Sequence, residues 1–331
     1  MKAVQAHQFG NPQAIQLNEL SALQPQPGQA IVQIHAAGVN PADWYVVNGL
    51  FQIPPTLPFT PGFEAAGEVV AVHESVTNLV LGTRVLIALP YLVNGTAHFG
   101  AFAEQAQVPA TNLVPIPDAI DFTTAAAIPV IYGTAHVALK HRAQLQTGET
   151  LLVTGGTGST GSAAIQIGKL LGATVIATTS GAEKLERVKE LGADFGIDYK
   201  QEKVSDRLKA LTNGKGVDVV FETVGGDLFH QVVTAMASEG RLLPIGMASG
   251  DIPNISTIKL LTGNFAIVGT DFAHYTVYRL DFVRQSLQEI LSWFADGKLT
   301  LPTWRTVPMA QAAEMIDLVH NGAGAKVVLT A

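Results

Sequence analysis

The chain has 331 residues, 47% of them hydrophobic and 14% charged, with 32 glycines and a formal net charge of -7. That balance belongs to a well-buried globular protein long enough for two cores of roughly 150 residues each. An acidic surplus with no Lys/Arg run is unsuited to phosphate backbones, so no nucleic-acid partner is expected. The absence of cysteine excludes disulfides, thiol nucleophiles and thiolate-held metals.

Met1 to Gly10 lacks the apolar core of a secretory signal, and no run approaches the roughly 18 apolar residues of a membrane span. A cytoplasmic address with no membrane partner is the expectation. The first 120 or so residues read as short strands broken by Pro and Gly: Ala30–His35, Ala65–His73, Arg84–Leu89 and Ala101–Val108. From about Thr123 strands alternate with helices. Thr124–Lys140 reads as a helix, Thr150–Thr154 as a strand, Ser162–Leu171 as a helix and Thr174–Thr178 as a strand. Glu183–Leu191 (helix), Phe195–Asp198 (strand), Val204–Leu211 (helix), Val217–Glu222 (strand), Phe229–Met236 (helix) and Gly240–Ile245 (strand) follow. Such alternation predicts a parallel, doubly wound sheet of the Rossmann type within an α/β fold. Beyond it lie an apolar edge strand in Asn264–Gly269, an amphipathic helix Arg279–Phe294 and an apolar run Lys326–Leu329, a strand expected to return to the first domain.

Thr150–Thr154 runs directly into Gly155-Gly156-Thr157-Gly158-Ser159-Thr160-Gly161 and then a helical SAAIQIGKLLG. Gly156, Gly158 and Gly161 fit G-x-G-x-x-G, where the first glycine makes the turn, the second admits a pyrophosphate and the third lets helix and strand pack. The phosphates would lie against the backbone of Ser159, Thr160 and Gly161 at the helix N-terminus; the alternative is a plain strand-to-helix turn of small residues. The next strand, TVIATTSGAEK, ends without the acid that holds the ribose of NAD. Ser180 and its neighbours offer hydroxyls, and Lys184 a positive charge one turn on, so NADPH is the expected cofactor, with Glu183 as counterweight.

The segments HAAGVNPAD, TPGFEAAGEVV, the glycine cradle, ELGADFGIDYK, VDVVFETVGG and AKVVL occur in the order in which the zinc-independent quinone oxidoreductases carry them. Over nearly its whole length the chain resembles that zeta-crystallin-like branch of the medium-chain dehydrogenase superfamily. The resemblance implies a discontinuous, β-rich, GroES-like catalytic domain (1–123 and 270–331) around a Rossmann NADP-binding domain (124–269), with the active site in the cleft between them and a homodimer paired through the Rossmann sheet edge. The departures bear on the metal. Zinc-dependent relatives carry a Cys where this chain has Asn40 and a His where it has Phe63, so no metal site is expected, and Glu64 cannot hold zinc alone.

What the resemblance implies is hydride transfer from NADPH to a quinone or an α,β-unsaturated carbonyl, an enal or enone, whose developing oxyanion needs only hydrogen-bond donors. Asn40 is the candidate to orient the acceptor oxygen, or else a loop residue capping the turn before Pro41. Asp43 and Tyr45 share that loop: Asp43 reads more as a structural acceptor than an acid, and Tyr45 either donates a hydrogen bond or walls the pocket. Around the cofactor the resemblance places Thr134, otherwise a buried helical threonine, and Tyr199, otherwise an ordinary strand-end tyrosine. Val224, Gly246, Asp271 and Phe272, after the later strands, should line the nicotinamide cleft because ligands of such sheets bind at the carboxyl ends of strands, and Lys326 lies either on a cofactor oxygen or in solvent. Ser159 stands where the branch has a further glycine. A 2-enoyl thioester reductase, and a non-catalytic NADPH-binding structural or sensing protein, remain alternative readings.

Overall fold

A computed structural model describes residues 1–322 and 324–330. The chain forms two compact units, one of Met1–Gly133 with Phe272–Ala331 and one of Thr134–Asp271. The sequence predicts boundaries at 123/124 and 269/270, ten and two residues earlier than these, the first because its pattern reads as one helix from Thr124 to Lys140. That stretch is instead divided into Phe122–Ala126, Pro129–His136 and a π-type turn Val137–Arg142. Proline lacks the N–H needed to continue a helix and is suited to open a new one.

The first unit is built on a seven-stranded, mostly antiparallel sheet. Its path runs Trp304–Pro308, Lys326–Thr330, Gln29–Val39, Glu64–Val72, Arg84–Ala88 and Leu113–Pro115, with Gln105–Pro109 also paired to Gln29–Val39. The last strand does return to this unit, where Val327 lies opposite Val39 and Thr330 opposite Ala36. Alternate apolar side chains such as Val32, Ile34, Val69, Val85 and Ile87 make its core. Only the end of the expected strand Ala101–Val108 pairs as one, as Gln105–Pro109.

The second unit holds six parallel strands in the order Phe195–Asp198, Thr174–Thr179, Thr150–Val153, Val217–Glu222, Met236–Pro244 and Ala266–Ile267. This is the Rossmann order, so the α/β expectation holds. The central strands Thr150–Val153 and Val217–Glu222 are almost wholly buried, as a parallel sheet covered on both faces requires. Helix Ser159–Leu170 packs closely because it turns small residues inward; a Cβ on Gly168 would stand 2.4 Å from the Leu151 side chain. The helix expected at Phe229–Met236 lies earlier, at Gly226–Val233, and Met236 already begins the next strand. The edge strand expected over Asn264–Gly269 pairs only at Ala266–Ile267, since Asn264 is in the left-handed conformation that ends the preceding helix. Among the described residues no helix is long and apolar enough to cross a membrane.

Gly67 lies where Gln29–Val39 and Glu64–Val72 pair, and a Cβ there would stand 2.0 Å from the Gln33 carbonyl oxygen. Gly67→Ala is therefore expected to lower the stability of the first unit by about 1–3 kcal/mol. Tryptophan fluorescence during urea unfolding reads this directly, because Trp44, Trp293 and Trp304 all belong to that unit; an unchanged midpoint would contradict it.

Candidate active site

In the first unit the strand Gln29–Val39 ends at Asn40, which caps the helix Pro41–Val47. The Asn40 N–H donates to Asp43 Oδ2 at 2.8 Å, and the Asp43 N–H donates back to the Asn40 carbonyl at 3.0 Å. The Asn40 side chain is 1% exposed and faces inward. Its Nδ2 donates to Glu64 Oε1 at 2.8 Å and to the Gly38 carbonyl at 3.4 Å, while Oδ1 accepts from Lys326 Nζ at 2.6 Å. Lys326 Nζ also donates to Glu64 Oε1 at 2.5 Å and to the Val39 carbonyl at 3.1 Å. All three donors of the ammonium are thus met by protein acceptors, and none is left in this arrangement for a cofactor oxygen. Asn40 likewise sits within the protein's own network instead of presenting its amide to an acceptor.

Glu64 is the hub that sequence reading considered only as a failed zinc ligand. Its Oε1 takes Asn40 and Lys326, and its Oε2 accepts the Val130 N–H at 2.7 Å. Val130 is in the first turn of helix Pro129–His136, where a carboxylate suits both the free N–H groups and the dipole. The carboxylate approaches the backbone so closely that a Cβ at Gly38 would stand 2.3 Å from Oε1.

Asp43 is wholly buried, and burial pushes its carboxyl from 3.8 up to about 8. The Asn40 N–H and the Lys326 charge pull the other way, Glu64 adds a further push, and the Gly62 N–H exerts the smallest pull. Oδ1 has no hydrogen bond of normal geometry. Two residues on, Tyr45 is 39% exposed, its ring edge-on to Trp44 and to His320, which itself stacks flat on Trp44 with centroids 3.9 Å apart. Of the three candidates in this loop, Tyr45 alone offers its side chain outward. Phe272, expected at the cofactor, is buried against Gly133, where a Cβ would stand 2.4 Å from its ring.

In the second unit the turn after Thr150–Val153 is shaped as its glycines require. Gly155 has φ +62°, a Cβ on Gly156 would stand 2.9 Å from Ala177 Cβ, and one on Gly161 would stand 2.4 Å from the Gly155 carbonyl oxygen. Gly158 caps the helix without a side chain, so Ser159, Thr160 and Gly161 open a helix whose first N–H groups have no side-chain cap. One strand over, Lys184 Nζ donates to Ser180 Oγ at 3.3 Å, and the Tyr199 N–H donates to the Thr179 carbonyl at 3.1 Å. Ser180, Lys184 and Tyr199 are therefore gathered at the carboxyl ends of adjacent strands. The loop is held by Asp198, whose Oδ1 accepts from the Gly181 and Lys200 N–H groups at 3.0 Å each.

On the other side of the cradle, buried Glu222 sets the remaining residues, a role that sequence reading missed. Its Oε1 accepts from Thr154 Oγ1 at 3.0 Å and from the Val224 and Gly225 N–H groups at 2.9 Å. Its carbonyl accepts from the Ile245 and Gly246 N–H groups, which brings Gly246 beside the Thr223–Val224 turn. The signal available was an acid directly after the apolar run Val219–Phe221, closing the strand VDVVFE. Thr134, at the start of this unit, is half-buried in its helix, and Asp271 is half-buried at its end.

The donor set does not fit zinc. The chain has no cysteine, Glu64 is already taken by an ammonium, an amide and a backbone N–H, and among the described residues no three His, Asp or Glu side chains are grouped to hold a metal ion.

Two known families match. "Alcohol dehydrogenase GroES-like domain" covers residues 26–118 and "Zinc-binding dehydrogenase" residues 159–295. A quinone oxidoreductase-like protein 2 homolog of Nematostella vectensis is 39% identical over 91% of this chain and 80% of its own length. The quinone oxidoreductase of Sus scrofa is 30% identical over 99% of this chain and 97% of its own length. Among solved structures, an Escherichia coli quinone oxidoreductase complexed with NADPH superposes with a TM-score of 0.89 at 26% identity, over 100% of both chains.

Removing the ammonium should expose the dependence of this site on Glu64. Lys326→Met leaves a buried carboxylate without its cation and is expected to cost about 3–5 kcal/mol. Adding Glu64→Gln should return a large part of that loss, and a double-mutant cycle by urea unfolding measures it; simple additivity would contradict the coupling.

Proposed function

Since the chain belongs to the medium-chain dehydrogenase superfamily, in its quinone oxidoreductase branch, we propose that this oxidoreductase uses NADPH to reduce a quinone or an α,β-unsaturated carbonyl without a metal. The observation that carries the reading is the turn Gly155–Gly161, where added Cβ atoms on Gly155, Gly156 and Gly161 would collide with Thr223, Ala177 and the turn's own backbone, so that small residues hold the turn close before an uncapped helix N-terminus. When bound there, NADPH supplies the hydride. The N–H groups of Ser159, Thr160 and Gly161 would hold its pyrophosphate, and Ser180, Lys184 and Tyr199 its 2'-phosphate. Thr134, Val224, Gly246 and Asp271 are the candidates toward the nicotinamide. Phe272, packed on Gly133, would serve there as a wall.

For the acceptor, the hydroxyl of the partly exposed Tyr45 is the side-chain donor suited to a developing oxyanion, with Asn40 and Asp43 supporting its helix from within. Ionised metals are not needed for such an acceptor, because hydride addition to it leaves a stabilised enolate or phenolate. The exposed Ile258 and Leu261, on the helix just before the edge strand Ala266–Ile267, support pairing of two copies along that sheet edge, which sedimentation velocity would test.

The first experiment follows NADPH and NADH oxidation by absorbance with 9,10-phenanthrenequinone, an enal and an enone, in the presence of EDTA. Turnover that prefers NADPH and ignores the chelator is expected. Tight NADPH binding with no turnover of any of the three would instead favour a thioester substrate or a non-catalytic role. Lys184→Glu should weaken NADPH at least about tenfold, as one lost charge contact of ~1.4 kcal/mol requires, and leave NADH nearly unchanged; equal weakening of both would remove Lys184 from the phosphate site. Tyr45→Phe should lower kcat roughly a hundredfold without changing NADPH affinity, the scale of one lost oxyanion donor.

A further inference from the structure

Asp43, Glu64 and Lys326 form a buried cluster of two acids and one base, at 0%, 0% and 2% exposure. The Lys326 ammonium is bound by Glu64 Oε1, so its charge is already balanced by that carboxylate. Asp43 stands as the second acid. Its Oδ2 accepts the Asn40 N–H, while its Oδ1 has no hydrogen bond of normal geometry and the Gly62 N–H gives only the smallest pull. From the elements packed around it, Lys326 and Glu64 are the charges that act on it. The packed helix Ala312–His320 turns His320 to the rings of Trp44 and Tyr45 and Glu314 to solvent. A carboxylate with one oxygen short of a normal hydrogen bond, beside a cation already paired to Glu64, is far costlier in such a place than a neutral acid.

We propose that Asp43 is kept as a neutral carboxylic acid at neutral pH, and that in this form it is a positioning residue for the reduction proposed above. Neutral Asp43 leaves the cluster with no net charge, holds the Asn40 N–H and fixes the first turn of the helix that carries Tyr45. Loss of its proton adds a second anion beside Lys326. The ammonium is then drawn from the Asn40 and Glu64 oxygens that organise the site, and the Tyr45 helix loses its fixed start. The role rests on the reading that this loop serves the acceptor; the protonation itself does not.

The direction of the pH dependence follows from the sign of the shift. Burial raises the folded carboxyl from 3.8 to about 8, so across that window the folded chain keeps a proton that the unfolded chain has lost. The folded state binds more protons, and stability must fall as pH rises through the window. Asp43→Asn, which keeps the acceptor for the Asn40 N–H, should flatten that decline.

The test is difference infrared spectroscopy of the full chain at neutral pH. Wild type is expected to show a carboxylic-acid C=O stretch that Asp43→Asn removes; no such band overturns the proposal. Glu64→Gln gives a second variant should the first not fold. Without the competing anion Asp43 becomes the counter-charge of Lys326, so the band should vanish at the same pH, and its persistence would overturn the charge argument. In NADPH:quinone turnover, the high-pH fall in kcat should disappear in Asp43→Asn while the Kd for NADPH is unaltered, whereas a kcat profile superimposable on wild type would overturn the positioning role. Should no acceptor be turned over, the functional reading fails, and the infrared band and the stability curve still decide the state of Asp43.

Discussion

The Glu64–Lys326 ion pair is the interaction on which the first unit depends. Two charges taken fully out of water carry a desolvation cost that their attraction offsets only when every remaining donor and acceptor is satisfied. Here that condition is met on both sides. Lys326 finds a carboxylate, an amide oxygen and a carbonyl, and Glu64 finds the ammonium, the Asn40 amide and the Val130 N–H. The pair ties the last strand to the strand Glu64–Val72 and to the end of Gln29–Val39, and through Val130 it sets the start of helix Pro129–His136. Gly38 is a consequence, because no larger residue leaves room for the carboxylate.

The same arrangement shows how this loop is ordered without zinc ligands. A cation at the centre of the loop is still present, but it is an ammonium fixed on a strand, and it orders Asn40 from within. In the proposed reduction the outward group is the Tyr45 hydroxyl, a donor suited to acceptors that stabilise their own negative charge.

In the second unit the equivalent organiser is Glu222. A buried carboxylate receiving Thr154 and two successive backbone N–H groups fixes the turn after its strand relative to the glycine turn after Thr150–Val153. Thr223 closes the pair, its N–H donating to Thr154 Oγ1 at 2.8 Å and its hydroxyl to the Thr154 carbonyl at 2.7 Å. Backbone groups at the carboxyl ends of both strands are thereby preorganised, the arrangement that costs least when a ligand binds.

The sequence by itself determined what local chemistry can determine. Buried apolar runs alternating with helical ones specify the parallel sheet, small residues at 155–161 specify the turn, and the missing acid after TVIATTS with Lys184 one turn on specifies which groups meet there. Each of these is a matter of near neighbours along the chain. The surroundings of Asn40, Lys326 and Glu64 were decided only by tertiary structure, because their partners lie far off in sequence: Asn40 is 24 residues from Glu64 and 286 from Lys326, and Lys326 is 262 from Glu64. Sequence pattern shows a Lys before a final strand but not whether its ammonium meets solvent, a ligand or a buried carboxylate. That outcome depends on which strands pair and in which register, and the register that sets Val327 opposite Val39 is what brings the charge inside.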